Sequence, residues 1–153
     1  MKSGDLKYLI ALHRALNLTF TRFKKLQKVF ESEWREMFRA DPKTLREADL
    51  DPRGIENFLA NRDNIDPDHE IELLERCGAN VLVYGTDTFP SQLENIYNPP
   101  VMLFVRGEIL STDFPSISVV GARRLSAYGR RAIEKIIGEI ADNGITIVSG
   151  LAF

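Results

Sequence analysis

Two short β-branched runs on either side of a helical pattern constrain the fold of this chain more than any other feature. Residues 116–120 read SISVV and residues 145–148 read ITIV. Continuous apolar runs of this kind are typical of parallel strands that are buried on both faces of a sheet. The isoleucines between the two runs share one face of a helix, namely Ile133, Ile136, Ile137 and Ile140. The spacing therefore predicts a strand, a helix and a second, parallel strand.

The N-terminal part of the chain predicts a separate helical bundle. Apolar residues recur at helical spacing along residues 5–60. Trp34 and Phe38 lie four positions apart, as two core residues of one helix do. Residues 61–70, which read NRDNIDPDHE, are interpreted as the linker that closes the bundle. We therefore predict a helical domain over residues 1–68.

Capping residues predict where several helices begin and end. Thr19 or Thr21 is the expected N-cap of a helix through RFKKLQKVF, and Ser32 is the expected N-cap of the next helix. Gly78 ends a later helix, and Asn143-Gly144 ends the helix between the two parallel strands.

Residues 69–153 predict the beginning of a parallel sheet. Beyond the two parallel strands, residues 80–85 read NVLVYG and residues 101–107 read VMLFVRG, which favours two further strands. We expect all four strands to join in one partial sheet. The predicted fold class is thus α/β, with a helical N-terminal bundle followed by an incomplete Rossmann-like sheet.

Composition excludes several classes of function. The net charge is −2, and residues 1–70 balance their basic and acidic side chains, so a nucleic-acid role must rest on a local patch. The single cysteine, Cys77, has no disulfide partner and is expected to be a buried, inert thiol. No run reaches the ~18 apolar residues of a membrane span. The composition fits a protein of the reducing cytoplasm.

Neither a metal site nor a catalytic set is predicted. His13 and His69 lack a partner at ligand spacing, and Ser149 lacks the G-x-S-x-G spacing of a nucleophile elbow. No combination of Ser, His and Asp and no pair of carboxylates stands out. We therefore expect no cofactor, no metal and no enzymatic activity.

The loops that follow the two parallel strands have the composition of an anion site. Ligands of open parallel sheets bind beyond the carboxyl ends of the strands. Glycine permits close backbone approach, arginine offers a planar fork of donors, and amides at a helix start favour an anion. The predicted phosphate- or DNA-binding residues are Gly121, Ala122, Arg123, Arg124, Ser126, Ser149 and Gly150.

The local charge favours an anion site in these loops but does not exclude other interpretations of the same residues. Residues 116–135 hold five basic residues and one acidic residue, a local net charge of +4. The loop matches neither the G-x-G-x-x-G dinucleotide pattern nor a P-loop. A solvated loop is the alternative for Arg123 and Arg124. Tyr128 is expected to pack against the sheet, with stacking on a base as the alternative. A solvated helix face is the preferred interpretation of the remaining basic side chains, Arg130, Arg131 and Lys135.

The motifs of residues 84–153 resemble the bacterial DNA-processing protein A family (DprA, also called Smf). They follow the family's order: Phe-Pro with a later Leu and Ile, Pro-Pro with Leu-Phe and Arg-Gly, Val-Gly-x-Arg, Tyr-Gly, and Ser-Gly-Leu-Ala. The helical region before them is similar to small sterile-alpha-motif or helix-hairpin-helix modules. It lacks the Gly-rich hairpin through which helix-hairpin-helix amides reach phosphate, so we assign no DNA binding to it.

The resemblance implies a function in DNA uptake. Proteins of this family bind single-stranded DNA during natural transformation and help to load the RecA recombinase, and the family is not known for an enzymatic reaction. The family's Gly-Ser-Arg motif corresponds to Gly121, Ala122 and Arg123, which makes Arg123 the implied phosphate contact. Ser149 and Gly150 correspond to the next loop of the same pocket. Nucleotide or other phosphate-ligand binding by a Rossmann-like domain is the alternative.

The resemblance also implies that the sequence is a fragment. The family continues past Ser-Gly-Leu-Ala into further strands and helices, which carry more DNA-contacting residues and the surfaces for dimerisation and recombinase binding. We therefore expect an open sheet edge and weak or absent DNA binding by this chain alone. A protein-interaction role for the helical module is a third interpretation, since its charge is balanced.

Overall fold

The structure, a computed structural model, describes residues 5–109, 115–122 and 124–150. These residues fall into two compact units, the first ending at Gly107 and the second beginning at Glu108. The α/β class and the helical N-terminal part are confirmed. The Rossmann-like and sterile-alpha-motif-like fold names stay predictions, as does the domain boundary between residues 68 and 69.

The described part of the first unit consists of seven helices and a β-hairpin. The helices are α1 (Leu6–Leu16), α2 (Phe20–Phe30), α3 (Trp34–Arg39), α4 (Pro42–Glu47), α5 (Pro52–Arg62), α6 (Pro67–Cys77) and α7 (Ser91–Glu94). The hairpin strands are β1 (Asn80–Val83) and β2 (Met102–Val105). No helix in the described ranges of the chain is long and apolar enough to cross a membrane.

Helix α1 is the central element of the first unit and packs against α3, α5 and α6. Leu9 and Leu12 of α1 and Phe58 of α5 are completely buried. Trp34 and Phe38 are also buried, which confirms their predicted place in the core. Each fully buried apolar side chain of this size contributes about 1.5–3 kcal/mol. This core is therefore the main stabilising feature of the unit.

Three helices of the first unit begin at an Asp-Pro pair. Asp41, Asp51 and Asp66 are the N-caps of α4, α5 and α6, and each carboxylate accepts a hydrogen bond from an amide of the first turn. The proline that follows lies in the first turn, where its missing N–H costs no helical hydrogen bond. The linker before α6 is therefore residues 63–66, shorter than the predicted 61–70.

The capping predictions for α2 and α3 have different outcomes. Thr19 caps α2, and its Oγ1 accepts a hydrogen bond from the Arg22 amide at 3.3 Å. The prediction that Ser32 caps α3 is wrong, because Glu33 occupies the cap position. Glu31 and Ser32 have φ values of +47° and +71°, so both lie in the left-handed region. An N-cap residue normally has extended backbone, which this turn excludes at Ser32.

Strands β1 and β2 belong to the core of the first unit. They pair antiparallel, with Asn80 opposite Val105 and Val83 opposite Met102. Val83, Val101 and Met102 are buried in the same cluster as the residues of α1. The prediction that these strands join the two parallel strands is wrong, since the described residues form two separate two-stranded sheets. Burial against the helices, rather than sheet extension, covers the apolar side of this hairpin.

The second unit has the predicted strand–helix–strand order. It contains β3 (Ser116–Val119), α8 (Ala127–Asp142) and β4 (Thr146–Ser149). β3 and β4 pair in parallel, which confirms the predicted βαβ arrangement. Asn143 is the C-cap of α8 and Gly144 follows with a φ of +73°, so the predicted helix stop is confirmed.

The predicted burial of the second unit is wrong. Ile117 of β3 is 41% exposed and Val148 of β4 is 49% exposed, and the described side chains of α8 include none that is buried. One helix covers at most one face of a two-stranded sheet, so α8 alone does not bury both faces as the apolar runs predict. Cys77 is likewise exposed at the end of α6 rather than buried as expected.

Replacing Phe58 by alanine is expected to destabilise the first unit by about 3–5 kcal/mol, because the core fills the resulting cavity only in part. Urea unfolding followed by circular dichroism measures the loss. Phe104→Ala is the matched control, since this phenylalanine is 50% exposed, and it is expected to cost less than half as much. Equal losses in the two variants would contradict the assignment of Phe58 to the core.

Asp51 is both a helix cap and one partner of an ion pair. Arg22 Nη2 donates to its Oδ2 at 2.8 Å, and the Gly54 amide donates to its Oδ1 at 2.7 Å. The hydrogen bond from Arg22, followed by that from Gly54, lowers the pKa of Asp51 below its ordinary value of 3.8. Such a carboxyl stabilises the fold above its unfolded pKa, and the contribution is lost as pH falls through the folded pKa.

In the Asp51→Asn variant, the free energy of unfolding is therefore expected to fall less steeply as the pH drops below about 4. The asparagine keeps an oxygen that accepts from Gly54, so the variant removes the charge and leaves the cap. Urea unfolding in a series of acidic and neutral buffers measures how steeply the free energy of unfolding depends on pH. The control is Asp87→Asn, at an exposed position, which is expected to retain the wild-type pH dependence. An unchanged pH dependence in Asp51→Asn would refute the link between the ionisation of Asp51 and stability.

Candidate phosphate-binding site

The parallel pairing of β3 and β4 brings the two predicted loops to one edge of the sheet. Val119 and Ser149 are Cα partners at the carboxyl ends of their strands. Gly121 and Ala122 follow the end of β3, and Gly150 follows the end of β4. All of these loop residues are exposed. The backbone therefore places residues from both predicted loops where a ligand of a parallel sheet is expected, and their contact with phosphate stays a prediction.

Ser126 is the N-cap of α8. Its Oγ accepts a hydrogen bond from the Gly129 amide at 3.1 Å, and its backbone is extended. The first amides of a helix have no intrahelical acceptor, and they carry the positive end of the dipole of this 16-residue helix. Ser126 thus fixes a positively polarised helix start next to the loop of β3, and its predicted contact with a ligand stays a prediction.

The basic side chains that the structure describes in the second unit are exposed, and none of them is in an ion pair with another described residue. Arg124 lies in the loop after β3, and Arg130, Arg131 and Lys135 follow along α8. The ion pairs that the structure describes all lie in the first unit. Exposed charges of one sign create a local potential that attracts anions. Their exposure agrees both with a solvated helix face and with an anion-binding surface.

Arg123 is a residue of the predicted site, whereas Tyr128 is predicted to pack against the sheet. Arg123 lies outside the described residues, so its role as the phosphate contact stays a prediction. Tyr128 is 76% exposed, which corrects the expectation that it packs against the sheet. As the second residue of α8 it lies in the first turn, where the two strands leave it uncovered. Its ring is therefore free to stack on an aromatic ligand.

The first unit contains an ion pair with one buried partner that the sequence does not predict. Glu70 of α6 is 8% exposed and accepts a hydrogen bond from Arg14 Nη1 of α1. The partners are 56 positions apart in sequence, so no local pattern reveals the pair. The signal that could have found Glu70 is its place one turn before Leu74, on the face of α6 that faces α1. In the described ranges, no group of His, Cys, Asp and Glu side chains is arranged to hold a metal ion.

Comparison with known proteins identifies the C-terminal half of the chain. A family profile described as DNA recombination-mediator protein A matches residues 80–153. The chain is also 42% identical over 66 residues to the DNA processing protein DprA of Streptococcus pneumoniae. Residues 80–153 belong to the DprA/Smf family. The region of the DprA/Smf match begins at Asn80, so it includes the hairpin of the first unit as well as the second unit.

The chain spans well under half the length of its curated DprA/Smf relatives. The Streptococcus pneumoniae match covers 43% of this chain and 23% of that protein. DprA of Bacillus subtilis is 37% identical over 49% of this chain and 26% of its own length. Protein Smf of Synechocystis sp. is 26% identical over 99% of this chain and 39% of its own length. No solved structure matches the chain.

Ser126→Ala is expected to weaken the first turn of α8 by about 1 kcal/mol, because the Gly129 amide loses its acceptor. Native-state hydrogen exchange followed by NMR should then show exchange of the Gly129 amide about fivefold faster. Ser126→Asp retains an accepting oxygen and is expected to keep the amide protected. Wild-type exchange in the alanine variant would rule out the cap.

Proposed function

We propose that the second unit binds the phosphates of single-stranded DNA, as part of a protein that processes incoming DNA and loads a RecA-type recombinase onto it. The observation that carries the proposal is the position of exposed basic side chains, Arg124 in the loop after β3 and others along α8, next to the carboxyl ends of two parallel strands. Membership of residues 80–153 in the DprA/Smf family supports it.

The chemistry of the surface suits a single strand. Proteins that bind single-stranded DNA without a sequence code combine a basic groove for the backbone with aromatic side chains for the bases. Arg124 and the amides at the start of α8 are the described donors for phosphate, and Arg123 is the principal contact that we propose. The exposed ring of Tyr128 is available to a base. The proposal is one of binding and includes no catalytic step.

The wider role is inferred from the relatives. Two of them are named DNA processing protein DprA, and the family description names a recombination mediator. We infer that the partners are single-stranded DNA and a RecA-type recombinase, that the protein acts in the cytoplasm during natural transformation, and that the full-length family forms homodimers. Because the chain spans only part of these relatives, we expect it to bind DNA weakly, and mainly at low salt.

The salt dependence of binding tests the role of Arg123. Anisotropy of a labelled oligothymidine is measured with the full chain from about 20 to 150 mM salt. Arg123→Ala is expected to weaken binding for every oligonucleotide sequence and to reduce the magnitude of the salt slope by ~0.7, the value of one lost single-strand phosphate contact. Arg53→Ala, an exposed arginine of α5, is the matched control and is expected to change neither quantity.

Three results would count against parts of this proposal. An unchanged slope in Arg123→Ala would remove this residue from the interface. Micromolar binding by the wild-type chain at ~150 mM salt would contradict the expected weakness. Displacement of the oligonucleotide by a mononucleotide at equal phosphate concentration would favour the alternative function, which is binding of a free nucleotide. An affinity that rises with oligonucleotide length would instead favour DNA binding.

A further inference from the structure

A cleft of about 330 Å³ in the first unit has no part in the proposed DNA site. It lies between α1, α6 and β2, and its hydrocarbon walls come from Ile10, Leu73, Leu74 and Phe104. Sites for small molecules are concave, mostly apolar and about 300–1,000 Å³ in volume. The cleft meets these conditions at the lower end of the range, so its occupant is small.

The charges in the cleft cancel one another. Arg14 and Glu70 both line it, and Arg14 Nη1 donates a hydrogen bond to Glu70 Oε1. Glu70 is buried and Arg14 is exposed. An anion that drew Arg14 away would leave the buried carboxylate uncompensated, which is strongly unfavourable, and a cation at Glu70 would have to displace Arg14. Charge complementarity therefore favours an uncharged ligand.

His13 adds a polar and uncharged wall. Burial lowers the pKa of His13 below its ordinary value of 6.5, so the ring is neutral at pH 7. Its Nδ1 is buried and has no hydrogen-bond partner in the described part of the chain, and a proton there would be a buried donor without an acceptor. The His13 ring centroid lies 6.4 Å from that of Phe104. The two rings thus form an aromatic side of the cleft.

We propose that this cleft binds a small, uncharged aromatic molecule of one or two rings. Aromatic rings at offset or tilted geometries attract each other beyond the area they bury, and the His13 and Phe104 rings offer such partners. The aliphatic walls supply apolar contact, and the compensated Arg14–Glu70 pair leaves no excess charge for an ion.

The cleft does not suit a base of a DNA strand. A base arrives with its phosphates. On α6, Asp68 and Glu70 are paired with Lys7 and Arg14, which leaves Glu72 and Glu75 beside Arg76 and therefore no excess of positive charge. The remaining carboxylates repel a phosphate. The proposal is therefore independent of the proposed DNA function, and failure of either leaves the other standing.

Ligand-observed ¹⁹F NMR of 5-fluoroindole with the full chain tests the proposal. We expect line broadening that corresponds to a Kd of about 1 mM or tighter, as for other small ligands. Indole-3-acetate and an oligothymidine are expected not to displace the probe. Cys77 also lines the cleft, so Cys77→Phe should fill it and raise the Kd at least about tenfold, while Cys77→Ser should leave the Kd unchanged.

A second measurement does not depend on the folding of a variant. The exposed Cys77 thiol of the wild-type chain reacts with a disulfide reagent, and saturating 5-fluoroindole is expected to slow this reaction at least about fivefold. The proposal would be overturned by any of three results: no line broadening at millimolar protein, undiminished broadening in a folded Cys77→Phe variant, or a Cys77 thiol that the probe does not protect. Displacement by indole-3-acetate or by the oligothymidine would overturn the ligand class.

Discussion

Parallel hydrogen bonding between β3 and β4 is the constraint on which the proposed DNA site depends. In a parallel pair both strands end at the same edge, so residues after Val119 and after Ser149 become neighbours although α8 separates them in sequence. The ladder extends by one bond beyond the strands, from the Thr146 amide to the Pro115 carbonyl at 3.0 Å. The proposed site is thus assembled by backbone pairing, and its described residues are exposed.

The first unit is held together by side-chain packing and ion pairs rather than by strand pairing alone. Its core surrounds α1, and two ion pairs tie α1 to α6: Lys7 with Asp68 at the solvent-exposed end, and Arg14 with the buried Glu70. Exposed pairs contribute little to stability, whereas a buried carboxylate requires its partner. The Arg14–Glu70 pair is therefore best understood as fixing how α6 packs on α1, and the cleft at His13 follows from that packing.

Local features of the fold could be predicted from the sequence. The cap at Thr19, the stop at Gly144, the core positions of Trp34 and Phe38, and the parallel βαβ order all follow from short-range propensity and periodicity. The confirmed family membership of residues 80–153 came from the order of motifs rather than from any one of them.

Features that depend on distant partners could not be predicted. The pattern of residues 80–85 is that of a strand, but it does not say that helices rather than β3 cover it. The apolar run of β3 predicts pairing, yet its burial depends on elements outside the run. Ser32 has the side chain of a cap, and only the left-handed backbone of the turn excludes that role. At the candidate site the sequence indicates charge and loop chemistry, while contact of these residues with a ligand stays a prediction.

The turn between α2 and α3 has a consequence for protein engineering. Glu31 and Ser32 are consecutive residues with positive φ, and neither is glycine. Side chains with a Cβ are disfavoured in this conformation by about 1–2 kcal/mol per residue. Glycine at either position would relieve that penalty, partly offset by the greater entropy of the unfolded chain. The turn between α2 and α3 is therefore a site where substitution by glycine is expected to raise the thermal stability of the first unit.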